Sequence, residues 1–543
     1  MISWHRPRVR SWSNHRLSGV ATDLAIALFF VLLIGKASIG RGPDASWDLR
    51  NYHLYLPYAL FNGRASIDLF PATIVGFVNP LVDIPSYLLR IAFNQRPNTL
   101  SFLLSLPFSA GAFLAYRIAL SILPADITWR RAAAFMAALI GLTGIGAYST
   151  IGSSEGEALP AFFTLLGLLL TMSAISTTRL QWYRWGAAGV CCGIAVGLKL
   201  TEASYAVGLF AGITLFADAL WRNRACAALA YVGGGIIGAA LSGGWWWTAM
   251  LIKFGNPFFP FYNNIFHSPW FPPIRLGADY LHPLTLLQTL FYPFYWALSV
   301  QELTWEAPSR EPRFAIAYVA VVVAVAAMLL RRDLDGRATP AARRSRLFLV
   351  FLVTSYALWQ QLFSVYRYLY PLEVTIALPL LIAAMHLQRT RSALPATAAL
   401  AAALVLCLST SVYVNTQHAR PAHVAAFVDM PELPPGAMVI LLDSSPMAFV
   451  AAFARPDIRF MGANNALISL DRPSKVGDLV AKSISGQTDG LWGIASLKEW
   501  PDGASQAMAH YRLECTEPFK VLRSNLSREA ISICPLQHVV GSE

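Results

Sequence analysis

The chain is a succession of near-continuous apolar stretches, each about as long as a bilayer is thick, and this leaves few folds open to it. A spanning helix needs about 20 mostly apolar residues. Residues 20–39 supply the first, and further candidates fall at 98–123, 131–150, 158–177, 185–199, 203–221, 226–251, 314–330, 346–364, 370–387 and 394–413. The expected class is an all-α polytopic membrane protein of about eleven transmembrane helices. With 56% hydrophobic and only 13% charged residues, the chain stands far from the balance of a water-soluble protein. Its net charge of +12 suits loops lying against anionic lipid and calls for no nucleic acid.

Arginines set the orientation. Four of them precede Leu17, and the apolar run that follows has no small-residue cleavage site, so it reads as an uncleaved signal anchor with residues 1–19 as a basic cytoplasmic N-terminus. The bias of Lys and Arg toward cytoplasmic loops then places Trp129-Arg130-Arg131 and the stretches Arg179 to Arg184, Arg222 to Arg224, Arg331 to Arg346 and Arg389 to Arg391 on that side. Residues 79–93 are apolar but short and interrupted by Pro80 and Pro85. A crossing there would invert the arginine pattern downstream, so they are expected on the outer interface, within an outer loop spanning 40–97. A second outer loop, 252–313, carries the aromatic run Phe258-Phe259-Pro260-Phe261-Tyr262.

The transmembrane domain is expected to occupy 20–414. Beyond it, Pro431, Pro434, Pro435 and Gly436 punctuate the chain before Met438-Val439-Ile440-Leu441-Leu442-Asp443, which reads as a strand. Residues 415–543 suit a small extracytoplasmic α/β domain. Cys191, Cys192, Cys226 and Cys407 lie in apolar segments as packing residues. Cys515 and Cys534, the two cysteines of the polar C-terminal region, are expected to form a disulfide in an exported domain.

Three polar features fall on the outer side of this topology. Trp47-Asp48-Leu49-Arg50-Asn51-Tyr52-His53-Leu54-Tyr55 concentrates chemistry just past the first span. Ser153-Ser154-Glu155-Gly156-Glu157 places two carboxylates at the mouth of a helix. Lys199, in Gly197-Leu198-Lys199-Leu200-Thr201, and Arg367, in Tyr366-Arg367-Tyr368-Leu369-Tyr370-Pro371, put positive charge at the outer boundary, against the orientation bias. A phosphate is the natural guest for such cations, since Arg forks onto phosphate oxygens and Lys acts as a point charge.

In the order and sidedness of these motifs, and in Gly255-Asn256-Pro257-Phe258-Phe259-Pro260-Phe261, the sequence resembles the GT-C superfamily of membrane glycosyltransferases over residues 20–390. That superfamily includes the lipid A aminoarabinose transferases and the protein O-mannosyltransferases, which use polyprenyl-phosphate sugars. The resemblance implies a bacterial inner-membrane enzyme that transfers a sugar, with inversion, from a polyprenyl-phosphate donor to an extracytoplasmic lipid, glycan or protein. Asp48 would be the general base, Glu157 or Glu155 would act on sugar or acceptor, and Lys199 and Arg367 would hold the phosphate. His53, Arg50 and Tyr52 would line the substrate. Many members carry an Asp-Glu pair in the first loop, whereas Asp48 is followed by Leu49.

The chemistry stands on its own logic: an alcohol needs a carboxylate to take its proton, while a lipid phosphate leaves readily and needs electrostatic stabilisation. Each residue also has a structural reading. Asp48 would pair with Arg50 or cap the next helix, Glu155 and Glu157 would be a solvated helix start, Lys199 would snorkel, and Arg367 would stack between tyrosines. Tyr52 and Tyr55 read as interfacial anchors, Asp44 as a turn residue, and Asp83 and Arg90 as structural. No metal-ligand spacing is visible, the carboxylates are not grouped as in Asp-x-Asp sites, and no cofactor is expected. The competing classes are a lipid-linked glycan flippase or transporter and an O-antigen ligase or polymerase.

Overall fold

A computed structural model describes residues 10–155, 157–175, 181–277, 279–300, 302, 307–330, 339–387, 392–413, 418–419, 423–498, 500–527 and 530–539. Arg179, Arg331, Arg332, Arg337, Arg389 and Arg391, which belong to the cytoplasmic loops expected above, lie outside these residues.

Helix lies over each expected span, from Arg10–Arg41 through Leu394–Thr410. Among the described residues, four stretches are long and apolar enough to cross a membrane on their own: Gly19–Arg41, Pro97–Ile122, Trp221–Phe254 and Arg313–Leu330. A fifth follows if Tyr366–Glu373 and Leu378–Leu387, bent by 40°, form one span. The chain is a multi-pass membrane protein. By length and composition the described residues thus support four or five spans, and the count of eleven is not established.

Two interruptions fall where continuous helix was expected. Arg130–Leu142 stops at Thr143 and Gly144 and restarts as Ile145–Ser149. The break persists because its freed backbone groups find buried partners. Arg313 donates to Ile140 O at 3.0 Å and to Thr143 O, Glu311 accepts from Ile145 N at 3.0 Å, and Glu373 accepts from Gly146 N and Ala147 N. The second interruption separates Tyr370–Glu373 from Leu378–Leu387; Glu373 also accepts the Tyr366 hydroxyl at 2.6 Å, which ties the turn carrying Arg367 to the first interruption.

Helix Trp182–Leu198 runs against Trp221–Ala239 at backbone contact distance. A Cβ on Gly189 would fall 1.9 Å from Tyr231 O, one on Gly193 2.0 Å from Gly235 O, and one on Gly238 2.2 Å from Val190 O. Glycines four residues apart on facing helices permit such an approach, as in small-residue membrane interfaces. One end of this helix pair is then fastened by Asn79, whose Nδ2 donates to both Gly197 O and Ser242 O at 2.8 Å. This locks the position of Lys199, two residues on. Residues 79–93 form a single turn, Pro80–Val82, and a ten-residue helix, Ile84–Phe93, too short to cross a bilayer.

The C-terminal region folds on a mixed sheet. Strands β1 (Met438–Leu441), β2 (Arg459–Gly462), β3 (Leu491–Ala495), β4 (Leu513–Cys515), β5 (Lys520–Leu522) and β6 (Ile531–His538) are ordered β2-β1-β3-β6-β4, with β5 also on β6. β1 is parallel to β2 and β3, and β6 is antiparallel to its neighbours. Its all-apolar Met-Val-Ile-Leu run suits β1, which is buried on both faces. Cys515 and Cys534 form a disulfide with Cα atoms 5.8 Å apart.

The segment 40–97 is joined to this sheet. Leu69 N donates to Phe460 O and Gly462 N to Leu69 O, both at 2.9 Å, which extends the edge beyond β2. Beneath, the buried Arg64 binds Asp68 and the carbonyls of Pro456 and Ile458. Tyr52, Leu54 and Tyr55 consequently share one apolar core with Val439, Phe449 and Phe460.

Candidate active site

Asp48 opens a π-helical turn, Leu49–His53, and caps none of its amides with its side chain. In such a turn, residues four and five positions on fall near the same face, and π-turns recur at functional sites. Asp48 Oδ2 instead accepts from Arg367 Nη1 at 2.7 Å. From its position beside Asp48, Arg367 also faces Glu155 Oε1 and Glu157 Oε1, each at 3.9 Å. Lys199 Nζ pairs with Glu157 Oε2, donates to Glu155 O at 3.4 Å, and lies 4.9 Å from the centre of the Tyr368 ring.

Segments far apart in the chain thus bring Asp48, Glu155, Glu157, Lys199 and Arg367 into one buried group. Although the sequence has no Asp-x-Asp motif, three carboxylates share Arg367 in space. Glu155 is 2% exposed and neither carboxyl oxygen has a hydrogen-bond partner. Burial holds its carboxyl well above the usual carboxylate range, against the opposing pull of Arg367.

Two residues read only as structural in the sequence define the edges of this group. Asp83 Oδ1 lies 2.5 Å from His53 Nδ1, with His53 Nε2 and Asp83 Oδ2 buried and unpartnered. Burial pushes the Asp83 carboxyl up; it would lower His53, but the carboxylate opposite outweighs it and leaves the imidazole raised. Asp44 accepts from Arg90 Nη2 at 2.7 Å, Ser154 N at 2.7 Å and Ser154 Oγ at 2.6 Å, which binds the loop carrying Glu155 to the segment 40–97. Burial would raise Asp44, yet Arg90 and Ser154 leave it lowered. Asp83 and Arg90 therefore serve different partners. Arg50 is buried on the Asp48 turn.

Tyr52 and Tyr55 are not interfacial anchors. The C-terminal region covers them: Tyr55 donates to Asp68 at 3.0 Å, and Tyr52, its ring 4.0 Å from that of His53, lines a cavity. This cavity, of about 1060 Å³, lies between the membrane helices and the sheet. Asp48, Arg367 and Tyr368 form its floor; Ser444 and Asn464, just past β1 and β2, line its other wall with Trp500. The carboxyl ends of parallel strands are the usual site of ligand crevices in open α/β sheets.

Glu311 and Glu373, which shape the break holding Arg367, gave no sequence signal beyond being acids near apolar helices.

No family model and no curated protein matches this chain. Among solved structures it is similar to ArnT from Cupriavidus metallidurans. The crystal structure of ArnT bound to undecaprenyl phosphate gives a TM-score of 0.46 at 13% identity, covering 95% of this chain and 98% of that one. The apo crystal structure gives the same score and identity over 96% and 98%.

Proposed function

We propose that the chain is a membrane glycosyltransferase of the GT-C type that moves a sugar from a polyprenyl-phosphate donor to an acceptor on the outer side of the membrane. The observation that carries this reading is the ion-paired group of Asp48, Glu155, Glu157, Lys199 and Arg367, of which Asp48 and Arg367 line a cavity of about 1060 Å³.

The acceptor oxygen attacks the anomeric carbon and passes its proton to Asp48. The bond from that carbon to the phosphate oxygen breaks with its electron pair, and attack from the opposite face inverts the centre. Lys199 and Arg367 stabilise the charge that gathers on the phosphate. Before the donor arrives, Asp48 Oδ2 is occupied by Arg367 Nη1 and cannot take up the acceptor's proton. An incoming phosphate competes for Arg367, so donor binding frees Asp48 for proton transfer.

A neutral Glu155 limits the charge left in the cluster while the cations turn to the donor. Glu157 orients Lys199, and His53, Arg50 and Tyr52 border the sugar. The chemistry uses no metal, because the two cations supply the positive charge. The N-terminus and arginine-rich loops face the cytoplasm, and the sheet domain faces outward over the cavity, where it contacts the acceptor. A transporter would leave its interrupted helix open to a ligand; here the amides of Ile145, Gly146 and Ala147 are filled by Glu311 and Glu373.

Asp48→Asn tests the reading. In proteoliposomes supplied with a polyprenyl-phosphate sugar, it is expected to lower transfer by about 10²–10⁴-fold while the chain still inserts and folds. Near-wild-type turnover would remove Asp48 from the role of base.

A further inference from the structure

At the other end of the first helix lies a second cavity, of about 640 Å³, lined by Arg117, Arg130, Arg131 and Arg344. At about 1.5 Å per residue, the helix from Asp23 to Arg41 spans about 27 Å, close to the hydrocarbon thickness of about 30 Å. Arg41 bonds to Ser149 O beside the active-site loops, while Asp23 lines this cavity, so the two sites sit at opposite ends of the membrane domain.

Four guanidinium groups share one lining carboxylate. Asp23 pairs with Arg131 and, at 3.3 Å, with Arg117, and it also accepts the Tyr116 hydroxyl at 3.0 Å. Arg130 and Arg344 have no carboxylate within ion-pair distance among the described residues. They donate to the last carbonyls of helix Leu106–Ile122: Arg130 to Leu120 O at 3.1 Å, and Arg344 to Ser121 O at 2.5 Å. Their Nε atoms are buried without partners. Like charges held together and partly desolvated, with hydrogen-bond donors to spare, favour an anion with several acceptor oxygens.

We propose that this cavity binds the phosphate of an anionic phospholipid in the leaflet opposite the active site. Basic cavities between membrane helices on the cytoplasmic side suit lipid headgroups. The surroundings favour a lipid over a free anion: Leu120, Leu123 and Leu169 line the cavity, and Val20, Leu24 and Leu28, on the same helix as Asp23, are exposed to receive acyl chains. The phosphate site stands apart from the proposed sugar transfer. Calling its leaflet cytoplasmic rests on the orientation given above.

The test is native mass spectrometry of the full detergent-purified chain with phosphatidylglycerol, phosphatidylcholine or inorganic phosphate. Wild type is expected to retain phosphatidylglycerol over phosphatidylcholine. Each Arg at an anionic surface contributes a preference of about fivefold, so Arg130→Gln combined with Arg344→Gln is expected to lower retention roughly 25-fold. Asp23→Asn removes the competing carboxylate and is expected to raise it, which keeps the test open if the double variant does not fold. Equal retention of the two lipids, phosphatidylglycerol binding unchanged in the double variant or not raised in Asp23→Asn, or binding of inorganic phosphate with no lipid preference would each overturn the proposal.

Discussion

Arg367 Nη1 lies 2.7 Å from Asp48 Oδ2, joining residues 319 positions apart at the floor of the large cavity. Both are nearly buried, and the same guanidinium faces Glu155 and Glu157. A hydrogen bond to a charged group contributes about 1.5–3 kcal/mol. Arg367→Gln is therefore expected to raise the donor KM by roughly 10–150-fold, and Arg367→Lys to recover only part of that, since an ammonium lacks the planar fork. Initial rates against donor concentration check this; an unchanged KM would mean that the phosphate binds elsewhere.

Glu155 gives a sharper distinction. Its carboxyl is raised by burial, so below that elevated value the side chain is neutral. Glutamine copies the neutral form in shape. Glu155→Gln should thus hold transfer within roughly threefold of wild type on the acid side of the profile. As pH rises through the elevated value, wild type gains a third negative charge beside Asp48 and Glu157 and loses turnover, whereas the glutamine variant does not. Matching profiles at high pH would show that Glu155 does not titrate in this range.

Much of this arrangement was legible in the sequence because sidedness is a strong constraint. Apolar length marked the helices, and the arginine bias put Asp48, Glu155, Glu157, Lys199 and Arg367 on one face before any contact was known. The breaks at Thr143 and Gly144 were hidden, since their stability depends on Glu311, Arg313 and Glu373 arriving from other helices. Asp83 looked like one more acid on an interfacial segment; only the fold turns it toward His53. Tyr52 and Tyr55 misled because aromatic residues near a membrane boundary ordinarily anchor it, and the domain that covers them comes almost 400 residues later in the chain.

The His53–Asp83 pair sets a pH dependence of stability. An ordinary imidazole titrates near pH 6.5, and Asp83 raises His53 above that. The stabilisation from the charged pair is then complete below about pH 6.5 and is lost as pH rises through the raised value. Removing one member of a buried pair costs about 3–5 kcal/mol. His53→Gln is expected to be less stable at pH 6 by that amount, seen as a lower Tm, and to show a flatter dependence of Tm between pH 6 and 9. A variant that keeps the wild-type slope would place the titration on another group.

Arg64 joins the membrane domain to the sheet. It is 1% exposed, and it binds Asp68 through Nε at 2.9 Å while reaching Pro456 O at 2.6 Å and Ile458 O at 2.5 Å. Asp68 in turn accepts from Phe460 N at 2.9 Å and holds the edge of β2. Arg64→Ala leaves the buried Asp68 carboxylate without its cation and the carbonyls of Pro456 and Ile458 without this donor, at a cost of about 3–5 kcal/mol. Because Thr73, Ile74 and Val75 follow this junction into the cavity wall, the loss should reach the active site as well as the sheet. Limited proteolysis is expected to cut the chain between Ser411 and Met438 faster in the variant, with acceptor KM raised and donor KM little changed. Equal cleavage rates and unchanged acceptor KM would show that the sheet domain holds its place without Arg64.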